Sequence, residues 1–239
     1  MKRLLLAAMV LALGSGIAVA QTVRLGTEGA YPPYNFVNGQ GEIDGFEREL
    51  GDALCKRASL TCEWVRNDWD TIIPNLQAGN YDVIIAGMSI TDERAKVIDF
   101  TQFYIPPKSS AYLAASADAD VGGTIAAQVG TLQAAHVAAS GATLLEVEAP
   151  DEAVAAVRNG KADAVLADES YLQPIADQSG GALVLLAARV QLGGGVGLGL
   201  RKSDTALKGK FDQGITAMKA DGSLDALIKK WFGYDTGTD

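Results

Sequence analysis

The chain has 239 residues, with 20 lysines and arginines against 29 aspartates and glutamates, which gives a formal net charge of −9. An acidic protein repels nucleic acid and anionic membranes, and no basic stripe overrides this charge, so we exclude nucleic acid as a partner. This length suits one or two domains with a sizeable hydrophobic core.

The first twenty residues have the pattern of a secretory signal peptide. Lys2 and Arg3 precede an apolar run at residues 4–13, and Ala18-Val19-Ala20 provides an A-x-A cleavage site. The alternative is a membrane anchor, but this run is shorter than the ~20 apolar residues that a spanning helix needs. We expect cleavage after Ala20, export from the cytoplasm and no membrane insertion. The mature chain then has 18 basic and 29 acidic residues, a formal charge of −11.

Cys55 and Cys62 are the only cysteines of the chain. In an exported protein an even pair suggests a disulfide, and the alternative is two buried free thiols. The spacing differs from the C-x-x-C of redox motifs. His136 is the only histidine, so we expect no zinc site.

Predicted helices and strands alternate along the chain, and this order is typical of an α/β fold with largely parallel sheets. Asp44 is predicted to begin the first helix, with Glu47 completing a capping-box-like pattern. Residues 236–239 are expected to be disordered. The predicted strands are 23–26, 61–65, 83–86, 143–147, 164–167 and 196–200, and the predicted helices are 44–57, 71–78, 132–139, 152–158, 205–220 and 223–231.

Residues 77–86 and 158–167 share one pattern: a helix end, a glycine, two residues, an aspartate and an apolar strand. The pattern favours two similar lobes, although any β-α-β unit has a comparable order. Chain crossings between lobes are predicted at residues 106–109 and 191–195. The glycines at 193–195 are interpreted either as a hinge or as a plain surface turn.

The segment Ser89–Arg94 follows an apolar strand, and open α/β sheets bind ligands at the carboxyl ends of their strands. Arg94 is suited to hold a carboxylate through two parallel hydrogen bonds. Thr131 precedes a predicted helix whose first N–H groups attract anions. Asp168 ends the matching strand and is suited to hold an ammonium group. Arg94 and Asp168 together predict a site for a zwitterion, and the alternative for each is a surface ion pair.

Aromatic residues follow other strands. Tyr31 and Trp69 are suited to flank an aliphatic or cationic side chain, whereas Tyr34 is assigned to lobe packing. Glu28 ends the first strand and is suited to meet a basic group. No nucleophile or metal-protease motif occurs, so we expect a protein that is not an enzyme and needs no cofactor.

Seven segments, taken in order, resemble a known family: VRLGTE (23–28), IDGF (43–46), LCKR (54–57), DTIIP (70–74), SITDER (89–94), ADE (167–169) and GVGLGLRK (195–202). They resemble those of periplasmic solute-binding proteins of the polar amino acid type, bacterial solute-binding protein family 3, and especially the lysine/arginine/ornithine-, histidine- and opine-binding proteins. The resemblance covers nearly all of the mature chain.

The resemblance implies a type II periplasmic binding fold, with two lobes of mostly parallel sheet flanked by helices and joined by a two-strand hinge. Lobe 1 is expected to comprise residues 21–108 and 195–239, and lobe 2 residues 109–194. In basic amino acid binders of the family, a cysteine pair that matches Cys55 and Cys62 forms a disulfide.

The resemblance also implies roles for single residues. Arg94 clamps the ligand α-carboxylate with Ser89 and the backbone at Thr131, and Asp168 takes the α-ammonium. The residues implied for the ligand side chain are Tyr31 and Trp69 as flanking rings, Glu28 as the acid that meets a distal cation, and Gln133 as a polar neighbour.

The sequence departs from the family pattern in ways that bear on the ligand. Ala86 and Gly87 stand where relatives often carry two serines, although the carbonyl of Gly87 still accepts a hydrogen bond. Glu28 is one methylene longer than the usual aspartate, and Trp69 is bulkier than the usual phenylalanine or leucine. Leu132 replaces a threonine of some relatives.

We therefore predict a monomeric binding component of an ABC importer, which captures arginine, lysine, ornithine, histidine or a related opine and delivers it to permease subunits in the inner membrane. Two alternatives stay open: a periplasmic enzyme resembling cyclohexadienyl dehydratase, with Glu28 as its acid or base, and a ligand-sensing domain.

Overall fold

The structure is a computed structural model that describes residues 22–234. The predicted signal peptide at 1–20 and the tail at 236–239 lie outside the described residues. Within 22–234, no helix combines the length and apolar character needed to cross a bilayer. The elements of the first part are β1 (Val23–Thr27), β2 (Ala30–Tyr31), β3 (Asn35–Val37), β4 (Ile43–Asp44), α1 (Phe46–Arg57), β5 (Cys62–Arg66), α2 (Ile72–Gln77), β6 (Val83–Ile84), α3 (Asp92–Ala95) and β7 (Asp99–Phe100).

The chain then builds a second group of elements before it returns to the first. The second group is β8 (Ser109–Ala114), β9 (Thr124–Gln128), α4 (Leu132–Ser140), β10 (Thr143–Val147), α5 (Pro150–Arg158), β11 (Ala164–Asp168), α6 (Glu169–Gln178) and β12 (Val184–Gln191). The returning elements are β13 (Gly199–Leu200), α7 (Thr205–Ala220) and α8 (Ser223–Phe232).

Two five-stranded sheets form the centres of two lobes. The first sheet has the order β5-β1-β6-β13-β7, and the second has the order β10-β9-β11-β8-β12. In each sheet the first three strands are parallel and the last two run antiparallel to their neighbours. The expected two-lobe α/β fold is confirmed, and the exact lobe boundaries at 108/109 and 194/195 remain predictions.

Helices cover both faces of the first sheet, because its central strands carry apolar side chains on both sides. Leu25 on β1 packs with the buried faces of α1, α7 and α8, including Phe46, Phe211 and Ile228. Ile84 on β6 packs on the other face with the residues of α2. The second sheet is likewise covered on both faces by apolar clusters.

The repeated aspartates occupy the same place in the two lobes. Asp82 accepts a hydrogen bond from the backbone N–H of Arg24 (3.0 Å), and Asp163 accepts one from that of Thr124 (2.7 Å). Each aspartate also donates its own N–H to the carbonyl of the same partner. The shared spacing therefore marks a common way of joining β6 to β1 in the first sheet and β11 to β9 in the second.

The crossing segments lie side by side. Val196 forms antiparallel bridges with both Ser89 and Ile105, and Ile90 exchanges two backbone hydrogen bonds with Gly194 and Gly195 (2.9 and 2.8 Å). The return segment, where the chain passes from the second lobe back to the first, is thus hydrogen-bonded to the segment that carries Arg94. The predicted strand 196–200 is shorter than expected, because regular pairing is limited to Gly199–Leu200.

The predicted start of the first helix is wrong. Helix α1 begins at Phe46, and its N-cap is Gly45 with φ of 116°, a backbone conformation that favours glycine. The carboxylate of Asp44 accepts the N–H of the adjacent Gly45 (2.7 Å) and does not cap the helix. Glu47 faces inwards and makes no capping box, since its carboxylate bonds to Asn35, Gly87 and Tyr104.

Cys55, on α1, and Cys62, at the start of β5, are joined by a disulfide. The bond ties the end of a helix to the following edge strand of the first sheet. Neither cysteine lies near the cavity described below.

Candidate ligand-binding site

A cavity lies between the two lobes, at the carboxyl ends of the central parallel strands of both sheets. The space free of protein atoms there is about 560 Å³, part of which is open to solvent. All nine predicted ligand-binding residues line it: Glu28, Tyr31, Trp69, Gly87, Ser89, Arg94, Thr131, Gln133 and Asp168. The other lining residues are Ala86, Gln128, Leu132, Pro150, Ala153, Val165, Leu166 and Ala167.

Arg94 is positioned by the start of helix α3. Thr91 caps this helix, and its hydroxyl accepts the N–H of Arg94 (3.2 Å). The guanidinium donates to the carbonyls of Ser89 (2.9 Å) and Gly130 (3.3 Å), and it lies over the ring of Trp69 at 5.2 Å. Burial lowers the pKa of Arg94 to about 10, so the group stays charged at neutral pH.

Thr131 is the N-cap of helix α4, as the sequence suggested. Its hydroxyl accepts the N–H of Ala134 (3.1 Å) and donates to the carbonyl of Gln128 (2.6 Å). The hydroxyl is therefore committed to the helix start. The positive end of α4 faces the same cavity as Arg94, which favours a carboxylate there.

Asp168 is surrounded by donors. Its carboxylate accepts hydrogen bonds from Tyr31 (3.2 Å), Gln133 (2.9 Å) and Ser110 (3.4 Å). The hydroxyl of Tyr31 also accepts the N–H of Asp168 (3.2 Å), so it spans the two lobes with two bonds. Burial raises the pKa of Asp168, and the hydrogen bonds and the charge of Arg94 oppose this effect.

Glu28 and Gln128 form a second polar centre of the cavity. Both side chains are buried, and the amide of Gln128 donates to Glu28 (2.6 Å) and to the carbonyl of Glu148 (3.0 Å). Burial raises the pKa of Glu28 to about 7, although the bond from Gln128 acts in the opposite direction. A buried acid of this kind is stabilised in its charged form by a cation.

Aromatic rings support one wall of the cavity. Tyr31 stacks between Tyr171 (centroids 4.4 Å apart) and Tyr34 (5.8 Å). Tyr34 is buried, does not line the cavity and bonds to Ser170 across the lobes (3.1 Å). Its assignment to lobe packing agrees with this position.

Sequence reasoning missed Gln128, Ser110 and the true place of Glu47. Gln128 ends strand β9, so the argument that selected Asp168 at the end of β11 applies to it equally. Ser110 pairs with Asp168 across β8 and β11, a register that local sequence does not reveal. His136 does not line the cavity. Within residues 22–234, no cluster of metal-ligating side chains occurs.

Comparison with known proteins places these features in a family context. Residues 23–234 match the family model of bacterial extracellular solute-binding proteins, family 3. The chain is 33% identical to the histidine-binding periplasmic protein of Salmonella typhimurium, over 98% of each chain. It is 31% identical to the L-arginine-binding protein of Pseudomonas aeruginosa, over 91% of this chain and 90% of that protein.

A solved structure is more similar. It is that of a periplasmic His/Glu/Gln/Arg/opine family-binding protein from Silicibacter pomeroyi in complex with lysine. The sequence identity is 66%, and the TM-score is 0.89 over 91% of this chain and all of that chain.

Proposed function

Because the chain belongs to the bacterial extracellular solute-binding proteins of family 3, we propose that it captures a basic L-amino acid or a related opine between its lobes and delivers it to an ABC permease. The ligand class comprises lysine, arginine, ornithine and histidine. The lobes are residues 21–108 with 195–239, and residues 109–194.

One observation carries this proposal: Arg94, Asp168 and Glu28 line the same cavity. Arg94 supplies a fixed positive charge for the α-carboxylate, and Asp168 supplies a negative charge for the α-ammonium. Glu28 adds a second buried acid, which supports a ligand with one further positive charge. Trp69 and Tyr31 add aromatic surface for an aliphatic or cationic side chain.

The relatives support the same ligand class. The similar solved structure holds lysine, and the two curated relatives bind histidine and L-arginine. These ligands share the α-amino acid group and carry a basic group on the side chain.

Cross-lobe contacts support capture by closure. Arg94 reaches Gly130, Tyr31 reaches Asp168, and Gln128 reaches Glu28, each from the opposite lobe. A ligand that contacts both lobes favours the closed form, because it gains more contacts there than in the open form. The return segment at 193–195 serves as part of the hinge.

The protein acts in the periplasm as a monomer and meets permease subunits at the inner membrane. Export through the N-terminal signal and the periplasmic location of the histidine-binding relative support this location.

Calorimetry and thermal shift test the proposal. We expect saturable binding of at least one of lysine, arginine, ornithine, histidine and octopine, with a rise in melting temperature, because a ligand of the folded state stabilises it. Glutamate and leucine serve as controls. A larger shift with either control contradicts the basic side-chain preference.

The enzyme alternative has one supporting observation, a buried acid with a pKa of about 7 in the cavity. Such a group is suited to general acid or base chemistry near neutral pH. Incubation with prephenate or arogenate, followed by product analysis, distinguishes this alternative: product formation that disappears in Glu28→Gln favours it, and no turnover favours binding alone.

A further inference from the structure

Glu47 is a carboxylate that the proposed binding mechanism leaves without a role. It is 0% exposed, lies on helix α1 and does not line the cavity. A buried carboxylate is costly unless its oxygens accept hydrogen bonds, and burial raises the pKa of this one. Its partners therefore indicate what it holds in place.

One oxygen of Glu47 accepts the backbone N–H of Gly87 (2.7 Å) and the hydroxyl of Tyr104. Gly87 lines the cavity and has a positive φ of 63°. It lies beyond the end of strand β6, where regular pairing has stopped, and Glu47 supplies the acceptor for its N–H. This bond fixes the Ala86–Gly87 peptide, and both of these residues line the cavity.

The other oxygen of Glu47 accepts the side-chain N–H of Asn35 (2.7 Å). Asn35 is also 0% exposed, and its carbonyl oxygen accepts the N–H of Gly29 (2.7 Å). The carbonyl of Glu28 in turn accepts a bond from Arg66 (3.2 Å). The peptide between Glu28 and Gly29 is thus held on both sides.

We infer that Glu47 and Asn35 form a positioning pair that fixes two walls of the ligand cavity, the Ala86–Gly87 peptide directly and the Glu28–Gly29 peptide through Asn35. This inference rests on the proposed function for its ligand, and it adds two positioning residues that do not touch the ligand. Three donors converge on one carboxylate, so the pair works only if both oxygens of residue 47 are acceptors.

The substitution Glu47→Gln tests this requirement at nearly constant volume. The new amide places an N–H against a donor, either Gly87 or Asn35, and a flip of Asn35 only transfers the mismatch to Gly29. We expect the Kd for lysine to rise at least about tenfold, because a buried donor loses its acceptor. We also expect the amide signals of Gly29 and Gly87 to move in ¹H–¹⁵N NMR spectra.

The double variant Glu47→Gln/Asn35→Asp reverses the direction of the bond between the two side chains. The introduced amide at position 47 then donates to the introduced carboxylate at position 35, which still accepts the N–H of Gly29. The carbonyl oxygen of the same amide accepts the N–H of Gly87. We expect the double variant to recover most of the lost affinity. If the pair served only the stability of the fold, adding Asn35→Asp, a second buried change, should not restore the affinity for lysine.

Asp82→Asn is the matched control, because Asp82 is a buried acid of the same lobe that bonds to Arg24 and Arg201 and does not line the cavity. It should lower the melting temperature without a comparable change in Kd. Equal changes of Kd in Asp82→Asn and Glu47→Gln overturn the inference.

Wild-type affinity in Glu47→Gln, with unmoved Gly29 and Gly87 signals, also overturns it. If the variants do not fold, the wild-type protein provides the test. NMR should then detect couplings across the two hydrogen bonds, from the Gly29 and Gly87 nitrogens to side-chain carbonyl carbons. The absence of these couplings overturns the inference. Wild-type protein that binds no tested amino acid contradicts the proposed function instead, while these glycine signals still report on the pair.

Discussion

Gln128 donates a hydrogen bond of 2.6 Å to the carboxylate of Glu28 from the opposite lobe, and both side chains are buried. A second bond from the same amide to the carbonyl of Glu148 fixes the orientation of Gln128. Glu28 is therefore held at one place in the cavity, where burial raises its pKa to about 7.

The first prediction concerns the charge of Glu28. Glu28→Gln should weaken lysine binding by about 2–5 kcal/mol, because a buried pair with a cation loses its negative partner. The loss should be measured by titration calorimetry. Glu63→Gln, which removes the same charge from an exposed position on β5, is the matched control and should leave the affinity unchanged. Equal affinity in the Glu28 variant and the wild type contradicts the assigned role.

The second prediction concerns pH. Burial raises the pKa of Glu28 to about 7. A cationic side chain stabilises ionised Glu28, so ligand binding below pH 7 must displace a proton. The affinity for lysine should therefore fall as the pH decreases from 8 to 6, with up to about tenfold loss per pH unit below the pKa.

Proton release gives this prediction a direct measurement. Calorimetry at pH 6 in two buffers with different ionisation enthalpies should show protons released on lysine binding in the wild type. Glu28→Gln should abolish that component. An affinity that rises as the pH falls through 7 would falsify the linkage.

The third prediction concerns Arg94. Arg94→Ala should weaken binding by ~2–5 kcal/mol, because the ligand carboxylate then lies desolvated without its partner. Arg94→Lys keeps the charge but loses the planar pair of donors, and it should recover only part of the affinity. Near-wild-type affinity of the alanine variant, measured by calorimetry, rejects the carboxylate assignment.

The fourth prediction separates stability from binding. Replacement of Cys55 and Cys62 by serine should lower the free energy of unfolding by roughly 2–3 kcal/mol, since the bond closes a short loop in the unfolded chain. Urea unfolding monitored by circular dichroism measures this loss. Lysine affinity of the folded variant should stay at the wild-type value, because neither residue lines the cavity. A large loss of affinity would show that the disulfide shapes the site.

Much of the site could be predicted from local sequence. Arg94 and Asp168 follow buried strands in repeated units, and the carboxyl ends of central parallel strands face the same cleft. The repeated aspartates Asp82 and Asp163 likewise pointed to two similar lobes, and they make the same backbone contacts in both. The strand-end residues and the repeated aspartates depend on the arrangement of the strands, which the alternation of helices and strands along the chain predicts.

Other features could not be predicted, because they depend on contacts between distant segments. Glu47 has the spacing of a capping residue from Asp44, yet its carboxylate bonds to Asn35, Gly87 and Tyr104. The bond between Glu28 and Gln128 joins residues of different lobes. Spacing along the chain carries no information on such pairs. Gly45, not Asp44, caps α1 because the chain turns there with φ of 116°.

The bonds that cross the cleft have a consequence for signalling to a membrane partner. Arg94, Asp168 and Glu28 each have a hydrogen-bonding partner from the opposite lobe that belongs to the protein itself. The protein itself therefore supplies part of the hydrogen bonding that joins the two lobes at these charged groups. A transporter that recognises only the closed conformation would also bind any unliganded protein that had closed. The selectivity of uptake then depends on how much longer the closed conformation lasts with a bound ligand than without one.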